Sequence, residues 1–333
     1  MTEHSFDVTG LGNAIMDVLV SATDAEIEAL GVPKGAMSLI EEDRADALYK
    51  AMSDAVETPG GSVANSIAGL GALGARTAFM GRIRDDAVGL AYASETEKSG
   101  TAFMAKAAPD GPGTGRCMIY VTPDAQRTMN TFLGAGSHFG ANEGDLDLEV
   151  IKKSKVLYLE GYLFDTDISK QAMRLAAETA KQAGNRVALS LSDPFCVSRH
   201  RDDFLALIDS HVDILFANEE EAHMLFEVEG FDQIAGAAHE RVEIAVVTRS
   251  EKGATLMKGG VSVHVDADPQ GQVIDTTGAG DQFSAGVLYG LVNGLDLEQS
   301  GRLGALAAGE VLNHFGPRPA VSVRDLARAK GLL

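Results

Sequence analysis

The chain of 333 residues lacks the features that define several large classes of protein. Its two cysteines, Cys117 and Cys196, are far apart and form no CxxC pair, so we expect neither a disulfide nor a thiolate metal site. No apolar run approaches the ~20 residues needed to cross a bilayer. The N-terminus lacks a basic region followed by an apolar stretch, which argues against a secretory signal. These absences predict a cytoplasmic protein with no membrane partner.

Basic residues are scarce relative to acidic ones. Lys and Arg number 28 against 48 Asp and Glu, and the formal net charge is −20. This charge repels polyanions at long range, so a nucleic-acid partner is not expected. A small phosphate ligand is compatible with the charge if helix N-termini, backbone amides, Mg²⁺ or a few placed basic groups hold it.

Several common site motifs are absent as well. The dipeptide Gly-Lys never occurs, which excludes the P-loop pattern, and HExxH is missing. The eight histidines show no metal-ligand spacing. The sequence GLGN at 10–13 begins like a dinucleotide fingerprint, but Ile15 stands where the third glycine belongs. A dinucleotide-dependent oxidoreductase is therefore a distant alternative.

From residue 156 onward, short apolar runs alternate with amphipathic helical segments. This alternation is typical of an α/β fold with a parallel sheet covered by helices on both faces. Strands are predicted at 156–161, 187–191, 213–217 and 244–248, with a hairpin at 254–267. Helices are predicted at 169–183, 202–210, 219–226, 232–240, 279–293 and 298–314.

The first 140 residues have a different pattern. Residues 6–20 are strand-like but interrupted by Gly10 and Gly12, and residues 62–73 have the pattern of a helix. A β-rich part follows, with turn residues at 109–113, and we expect it to form a small sheet that stands off the main body. Its strand-like segments are 101–107, 115–122 and 127–133.

The segment DTTGAGDQFSAGVLYGLVNG at 275–294 carries the strongest chemical signal. Its second half has helical periodicity, so its glycines lie where a loop enters a helix. Backbone amides there and the helix dipole would form an anion hole. A carboxylate in the same turn could accept a hydroxyl proton while the amides stabilise a transferring phosphoryl group, although such an aspartate is also common as a helix cap. The residues concerned are Gly278, Ala279, Gly280 and Asp281.

A second glycine-rich segment, GGSVANSIAGLGALG, occupies residues 60–74. Gly60 and Gly61 lead into a helix rich in small residues, and the bare backbone beside Asn65 would let a polar ligand approach closely. The alternative interpretation is that the small residues only allow this helix to pack tightly against a sheet.

These two segments, in this order and flanked by the βα pattern, resemble the two signatures of the ribokinase-like, or PfkB, carbohydrate kinase family. The resemblance extends from FDVTGLGNAIMD to HFGPRP. It implies an ATP-dependent kinase with an alcohol acceptor, built as a three-layer αβα sandwich with a mostly parallel central sheet and a small β-sheet lid. The lid would be discontinuous, from roughly 14–42 and 101–135, within a single catalytic domain spanning 1–333.

The resemblance implies roles on the acceptor side of the site. Asp281 matches the catalytic base, and residues 278–280 match the anion hole. Asn13 and Asp17 match polar groups that bind sugar hydroxyls, and a carboxylate such as Asp17 can accept two O–H bonds from a diol. Further substrate contacts are matched by Gly60, Gly61 and Asn65.

The resemblance also implies contacts with ATP. The sequence TRSEKG matches a T-x-G-x-x-G pattern, so Thr248 and Gly253 are expected to contact the nucleotide together with Gly278 and Gly280. Ser250 replaces the middle glycine of that pattern, which leaves the local backbone path open.

Two cation sites are implied in the same way. Asn218 and Glu221 match the family's N-x-x-E motif, which organises Mg²⁺ and phosphate through water, with simple helix capping as the alternative. Asp275 and Thr277 match one half of a site for a monovalent cation such as K⁺. The other half would come from the loop around 314–316.

Two further segments favour an adenosine-kinase-like member of the family, namely QRTMNTFLGA and the terminal HFGPRP. Arg127 matches a basic lid residue that reaches the transferring phosphate, although an exposed turn residue is equally compatible. Leu163 and Phe164 could supply an apolar wall for a purine, completed by lid side chains, and ordinary core is the alternative for each. The lid side chains concerned are Met37, Met129 and Phe132.

We therefore expect a kinase that phosphorylates the 5′-hydroxymethyl group of a nucleoside, converting adenosine to AMP with ATP and Mg²⁺, and with K⁺ as a candidate additional ion. A family sugar kinase acting on ribose, fructose or a related sugar is the first alternative. A non-catalytic nucleotide- or sugar-binding protein is the remote one. The expected partners are small molecules, and the chain is expected to be a monomer or a homodimer paired through exposed lid edges.

Overall fold

The computed structural model describes residues 4–124 and 126–333. The strands of these residues are β1 Phe6–Leu11, β2 Ile15–Ser21, β3 Met37–Leu39, β4 Val56–Gly60, β5 Thr77–Met80, β6 Thr101–Phe103, β7 Gly115–Val121, β8 Arg127–Phe132, β9 Ser154–Glu160, β10 Arg186–Ser190, β11 Ile214–Asn218, β12 Ile244–Thr248, β13 Ala254–Lys258 and β14 Val261–Val265.

The α-helices of the same residues are α1 Asp24–Leu30, α2 Glu42–Ala51, α3 Ser62–Leu73, α4 Ala87–Lys98, α5 Leu148–Lys152, α6 Asp167–Gln182, α7 Pro194–His211, α8 Glu219–Phe226, α9 Phe231–His239, α10 Ala279–Val292, α11 Leu297–Val311 and α12 Val323–Ala329. Short 3₁₀ helices lie at Gly134–His138, Gly161–Asp165 and Ser250–Lys252. None of the described helices is long and apolar enough to cross a membrane.

A large sheet of nine strands forms the centre of the described part of the chain, in the order β14-β13-β12-β11-β10-β9-β1-β5-β6. The strands from β12 to β6 pair in parallel, whereas β13 and β14 form the antiparallel hairpin predicted at 254–267. Strands rich in β-branched residues, such as IAVVT in β12, suit this doubly covered position.

Two apolar cores lie on opposite faces of the large sheet. In β9, Leu157 and Leu159 belong to the core shared with helices α5 to α9, while Val156 and Tyr158 belong to the core shared with α3, α4, α10, α11 and α12. This alternation follows from the two-residue period of a strand. The three-layer αβα architecture implied by the sequence is therefore confirmed.

A second sheet has the order β3-β8-β7-β2-β4. Helices α1 and α2 cover one of its faces through a small core that includes Ile27, Leu48 and Met118. Its register pairs Asp17 of β2 with Cys117 of β7, and residue 117 in turn with residue 131 of β8. Because side chains alternate along each strand, Asp17 lies on the face opposite to the helices.

The composition of the small sheet corrects the sequence-based expectation in two places. The strand within 101–107 is β6, which pairs with β5 at the edge of the large sheet, where Thr101 and Thr77 hydroxyls are 3.0 Å apart. The small sheet instead gains β4, which pairs antiparallel with β2. This strand contains Pro59 and Gly60, residues that weaken the sequence signal of a strand. Residues 6–20 also divide, with β1 in the large sheet and β2 in the small one.

The helix predictions hold where periodicity is strong. The bounds expected for α3 and α8 are those observed, and α9, α10 and α11 differ by one to three residues at their ends. Helices α1, α2, α4, α5 and α12 were not predicted. Cys117 and Cys196 are both buried and free.

Candidate active site

The carboxyl ends of the parallel strands place the predicted polar residues along one edge of the large sheet. Glu160 ends β9, Asn218 ends β11 and Thr248 ends β12, where it pairs in register with Asn218. Asn13 follows β1 by two residues. Ligands of open parallel sheets bind outside these ends. The small sheet joins the large one at this edge, since β2 begins at Ile15.

Asp281 lies in the first turn of α10 with both carboxylate oxygens held. Ser62 Oγ donates to Oδ1 at 2.7 Å, and Asn65 Nδ2 donates to Oδ2 at 3.1 Å, so the start of α3 fixes its orientation. Burial raises the pKa of Asp281 to about 6, against the two hydrogen bonds and the Arg318 charge, which lower it. The group is an ionised carboxylate at neutral pH that accepts a proton more readily than an ordinary aspartate.

The N-terminus of α10 supplies free backbone donors beside Asp281. Gly278 has the left-handed φ of 75°, and a Cβ there would lie 2.5 Å from Pro317 Cα, so only glycine fits. Among the described residues, the amides of Gly280 and Asp281 donate to no protein acceptor, whereas the Ala279 amide donates to Thr276 O at 3.3 Å. The expected anion hole therefore has its free amides at 280 and 281.

Asp17 of the small sheet lies within electrostatic range of Asp281, and we call the region between these two carboxylates the cleft. Its carboxylate is buried, and a Cβ on Gly60 would lie 2.3 Å from Asp17 Oδ2, which explains the need for glycine at that position. Burial raises the pKa of Asp17 to about 7, opposed by the charges of Arg318 and Arg127 and reinforced by Asp281. The Asp17 and Asp281 carboxylates are therefore close enough to affect each other.

Asn13 is oriented by a buried carboxylate that the motifs did not identify. Glu160 Oε1 accepts from Asn13 Nδ2 at 2.9 Å and from Asn13 N at 3.1 Å, and Glu160 Oε2 accepts from Val63 N at 3.0 Å. The side chain of Asn13 thus donates one N–H internally, while its second N–H and Oδ1 form no hydrogen bond with the described residues. Gly61, with φ of 97°, approaches so closely that a Cβ would lie 2.2 Å from Asn13 O.

Asn218 and Glu221 form the capping box of α8. Asn218 Oδ1 accepts from Glu221 N at 2.8 Å, and Glu221 Oε2 accepts from Asn218 N at 2.9 Å. Burial, with the charges of Asp193 and Glu220, raises the pKa of Glu221 to about 7. The capping alternative is thus what this structure shows for the motif.

This acidic group at α8 also fits a divalent cation bound indirectly. Mg²⁺ retains several waters and commonly uses one or two carboxylates together with substrate phosphates. In the described part of the chain no three metal-ligating side chains converge, so a metal would depend on the nucleotide for most of its ligands. A cation would also relieve the repulsion between Glu221, Asp193 and Glu220.

Thr248 and Gly253 bound a tight turn between β12 and β13. Ser250 has the left-handed φ of 53°, a conformation that glycine adopts more readily than a residue with a side chain. Gly253 has φ of 78°, and a Cβ there would lie 2.0 Å from Val265 O. Ser250 O accepts from Gly253 N at 3.0 Å, which closes the turn. The backbone path left open by the sequence is therefore the glycine-like one.

Asp275 pairs with Arg127, which connects β8 of the small sheet to the loop before α10. Its other acceptor positions receive Thr277 N and Gly316 N, both at 3.0 Å. The structure thus brings Asp275, Thr277 and the 314–316 loop together, as the family resemblance implied. However, the Arg127 guanidinium already neutralises the Asp275 carboxylate. In this arrangement the group therefore does not fit a K⁺ ion.

The expected purine wall is largely ordinary core. Phe164 is fully buried with its ring centroid 4.4 Å from that of Phe204, and Leu163 is only 2% exposed in the same core. Phe132 packs in the core beneath α1 and α2, on the face turned away from the cleft. Of the lid residues, Met37 and Met129 remain, paired in register on the face that carries Arg127.

Three side chains of the site were missed by sequence reasoning. Ser62 lies inside the glycine-rich segment, Glu160 ends a predicted buried strand, and Arg318 lies in the quoted HFGPRP. Arg318 Nε donates to Asn65 Oδ1 at 3.3 Å. A charged residue at the end of an otherwise apolar strand was the available signal for Glu160. No local pattern marks the other two.

The mostly parallel central sheet between two helical layers, with a second small sheet, is the ribokinase-like α/β fold of PfkB kinases. The sequence profile described as pfkB family carbohydrate kinase matches residues 35–324. The chain belongs to this family, and it is an ATP-dependent kinase.

Similar proteins include both nucleoside and sugar kinases. The adenosine kinase from Sinorhizobium meliloti has a solved structure with 44% sequence identity to this chain and a TM-score of 0.90. The match covers 98% of this chain and 99% of that one. A probable sugar kinase protein from Rhizobium etli is 40% identical, with a TM-score of 0.92 over 99% and 100%. The adenosine kinase of Saccharomyces cerevisiae is 26% identical over 328 residues, which is 92% of this chain and 95% of that protein.

Proposed function

We propose that this kinase transfers the γ-phosphoryl group of ATP to the 5′-hydroxymethyl oxygen of adenosine, giving AMP and ADP. The observation that carries the proposal is the placement of Asp281. Its carboxylate is oriented by Ser62 and Asn65, has a pKa raised to about 6, and adjoins the free amides of the α10 N-terminus. A base and an anion hole in one helical turn are the two groups that phosphoryl transfer to an alcohol requires.

In the proposed reaction Asp281 accepts the proton of the acceptor hydroxyl as the new O–P bond forms. The bond from the γ-phosphorus to its bridging oxygen breaks, and ADP leaves with that electron pair. The amides of Gly280 and Asp281 stabilise the charge on the phosphoryl oxygens. Mg²⁺, when bound with ATP near Glu221, would neutralise phosphate charge.

The acceptor is positioned by the opposite wall of the cleft. Asp17 accepts hydrogen bonds from the ribose diol, and Asn13, which Glu160 orients through one N–H, offers Oδ1 and its second N–H. The small sheet, joined to the loop before α10 through Arg127, covers the cleft and limits access of water to ATP.

A neutral nucleoside suits the charges of the cleft better than a phosphorylated sugar. Asp17, Asp281 and Glu160 are acidic, and Arg127 is already paired with Asp275. Arg318 is then the remaining cation near the two carboxylates among the described residues. A phosphate group already present on the acceptor would require several basic partners. The likeness to adenosine kinases of Sinorhizobium meliloti and yeast also supports adenosine.

A sugar kinase is the second candidate, favoured by the 40% identity to the Rhizobium etli protein. An ADP-release assay with Mg-ATP, with and without K⁺, separates the two. Adenosine, other nucleosides, ribose, fructose and fructose 6-phosphate are compared as acceptors. We expect kcat/KM to be highest for adenosine, by about 100-fold or more over the sugars. Turnover of a sugar alone would overturn the assignment of the acceptor while retaining the kinase.

A further inference from the structure

Arg318 is a partly buried cation in the cleft. Most of its guanidinium N–H groups have no acceptor among the described residues. Nε donates to Asn65 Oδ1 at 3.3 Å, and this is its one hydrogen bond to the described residues. Nη2 is buried and has no hydrogen-bond partner among the residues that the structure describes. The charges of Asp17 and Asp281 raise the pKa of Arg318, yet neither carboxylate forms an ion pair with it within the described part of the chain.

The loop that carries Arg318 is fixed by neighbouring elements, so its position is set by the fold. Pro317 lies against Gly278, where a Cβ would meet it at 2.5 Å. Gln282 Nε2 donates to Pro317 O at 2.9 Å and to Asn65 O at 3.0 Å. The N-terminus of α10, the first turns of α3 and the 316–318 loop are therefore one connected unit.

The poor solvation of the charged guanidinium indicates that a hydrogen-bond acceptor is missing. Burial lowers the pKa of Arg318, which means that its charged form is poorly solvated where it lies. A buried cation is normally compensated by a direct ion pair or a full set of acceptors. Here the charges of Asp17 and Asp281 act on the guanidinium, yet within the described part of the chain neither carboxylate hydrogen-bonds to it. A polar ligand oxygen in the cleft would complete the arrangement.

We propose that Arg318 is an acceptor-binding residue, whose free Nη groups donate hydrogen bonds to an oxygen of the acceptor held between Asp17 and Asp281. The guanidinium remains protonated throughout, and no bond to it forms or breaks. The inference rests on the proposed function, because it takes the group between the two carboxylates to be the sugar of the acceptor. Arg318 thereby adds specificity for an oxygen-rich acceptor to the contacts of the two aspartates.

A purely structural role is the competing interpretation. In that case Nε alone would matter, because it holds Asn65 and so orients Asp281. Loss of Arg318 would then affect turnover with every acceptor equally. Direct binding of the acceptor predicts instead a selective change in acceptor affinity.

The test compares Arg318→Gln and Arg318→Lys with the full-length parent chain, and Arg302→Gln, at an exposed position of α11, serves as matched control. KM is measured separately for adenosine and for ATP, and Tm verifies folding. We expect Arg318→Gln to raise the KM for adenosine about 10- to 100-fold and to change the KM for ATP less than about threefold. Arg318→Lys should fall between, and Arg302→Gln should match the parent.

Analogues identify the contact directly. The 2′-deoxy, 3′-deoxy and carbocyclic analogues of adenosine each lack one sugar oxygen. At least one should lose about tenfold in kcat/KM with the parent but less than threefold with Arg318→Gln, because the partner is already missing. Equal losses in both proteins for all analogues would overturn the proposal. So would a KM for adenosine within twofold of the parent, or a parallel rise in both KM values.

A wrong assignment of the acceptor gives a different result from a wrong assignment of Arg318. If the parent chain phosphorylates ribose or fructose and not adenosine, the nucleoside assignment is wrong, and the same variants are tested with that sugar and its deoxy forms. If the parent phosphorylates adenosine but the variants behave as Arg302→Gln does, only the role of Arg318 is wrong.

Discussion

At the residue scale, Asp281 combines orientation with a shifted affinity for protons. Ser62 and Asn65 each occupy one carboxylate oxygen, which leaves the remaining lone pairs directed to the cleft. Burial raises its pKa to about 6, close to the range in which a base is ionised yet accepts a proton readily. Across the cleft, burial raises the pKa of Asp17 to about 7.

These two groups predict the pH dependence of activity. Protonated Asp281 cannot accept a proton and protonated Asp17 cannot receive a full diol contact, so kcat/KM should fall as the pH drops from about 7 through about 6. The profile is measured with the ADP-release assay between pH 5 and 9. Asp296→Asn, which keeps a good cap on distant α11, should show the same profile. A profile that stays flat down to pH 5 would contradict the assignment.

Ser250 provides a test of backbone conformation. Its φ of 53° costs a residue with a side chain about 1 kcal/mol relative to glycine. Ser250→Gly should therefore stabilise the chain by roughly 0.5–1 kcal/mol in urea unfolding and leave the KM for ATP within about twofold. Ser198→Gly, inside helix α7, should destabilise by a similar amount. A large rise in the KM for ATP in Ser250→Gly would show that the serine side chain itself contacts the nucleotide.

Local sequence patterns predict some of the candidate site residues. They do not predict residues whose role depends on partners far away in the sequence. Asp281 stands out because glycines and helical periodicity surround it. Glu160 acquires its role from Asn13 and Val63, 147 and 97 residues away. Arg127 was identified, but its pairing with Asp275 depends on how the small sheet meets the α10 loop.

At the element scale, Glu160 connects three segments at the centre of the site. Its carboxylate lies at the end of β9 and accepts from the β1–β2 connection at Asn13 and from α3 at Val63. Gly12 lies so close that a Cβ would be 2.4 Å from Glu160 Oε2. The fit of these segments depends on a group that accepts hydrogen bonds at both oxygens.

Glu160→Gln should therefore destabilise the chain and loosen the acceptor site. The amide NH₂ would face the N–H groups of Asn13 or Val63, which leaves buried donors unpaired at about 1–3 kcal/mol. We expect urea unfolding to show this loss and the KM for adenosine to rise. Glu149→Gln, at an exposed pair with Lys152, should change stability by less than about 0.5 kcal/mol. Unchanged stability in Glu160→Gln would contradict this view of the site.

The strands of the large sheet are easier to predict from sequence than those of the small sheet, for a physical reason. Buried parallel strands such as β11 and β12 are short apolar runs between helices, and their period is unambiguous. The pairing of β6 with β5 rather than with the small sheet is a long-range choice that no local pattern records. The strand β4 is short and contains Pro59 and Gly60.

At the scale of the whole molecule, acidic groups concentrate in the cleft and their pKa values rise together. Burial is the largest cause for each, and it raises the pKa to about 7 for Asp17, Glu160 and Glu221 and to about 6 for Asp281. The formal net charge of −20 acts in the same direction. These buried carboxylates therefore lower the stability of the fold at the edge of the sheet where they form the site.

This predicts a decrease in stability with rising pH. Between about pH 4 and 7 the folded chain binds more protons at these carboxylates than the unfolded chain, so the free energy of unfolding falls as the pH rises. Without ligand, we expect Tm to be about 5 °C or more lower at pH 8 than at pH 5.5. Asp17→Asn should reduce the difference. A Tm that increases over this interval would refute the shared elevation of these pKa values.

The most direct test of the account is the formation of AMP by the parent chain and by Asp281→Asn, with product followed by ³¹P NMR and binding of adenosine measured separately. We expect AMP and ADP in equal amounts with the parent, and a kcat lower by a factor of about 10² or more in Asp281→Asn with adenosine affinity little changed. Turnover by Asp281→Asn within a few-fold of the parent would show that Asp281 is not the base.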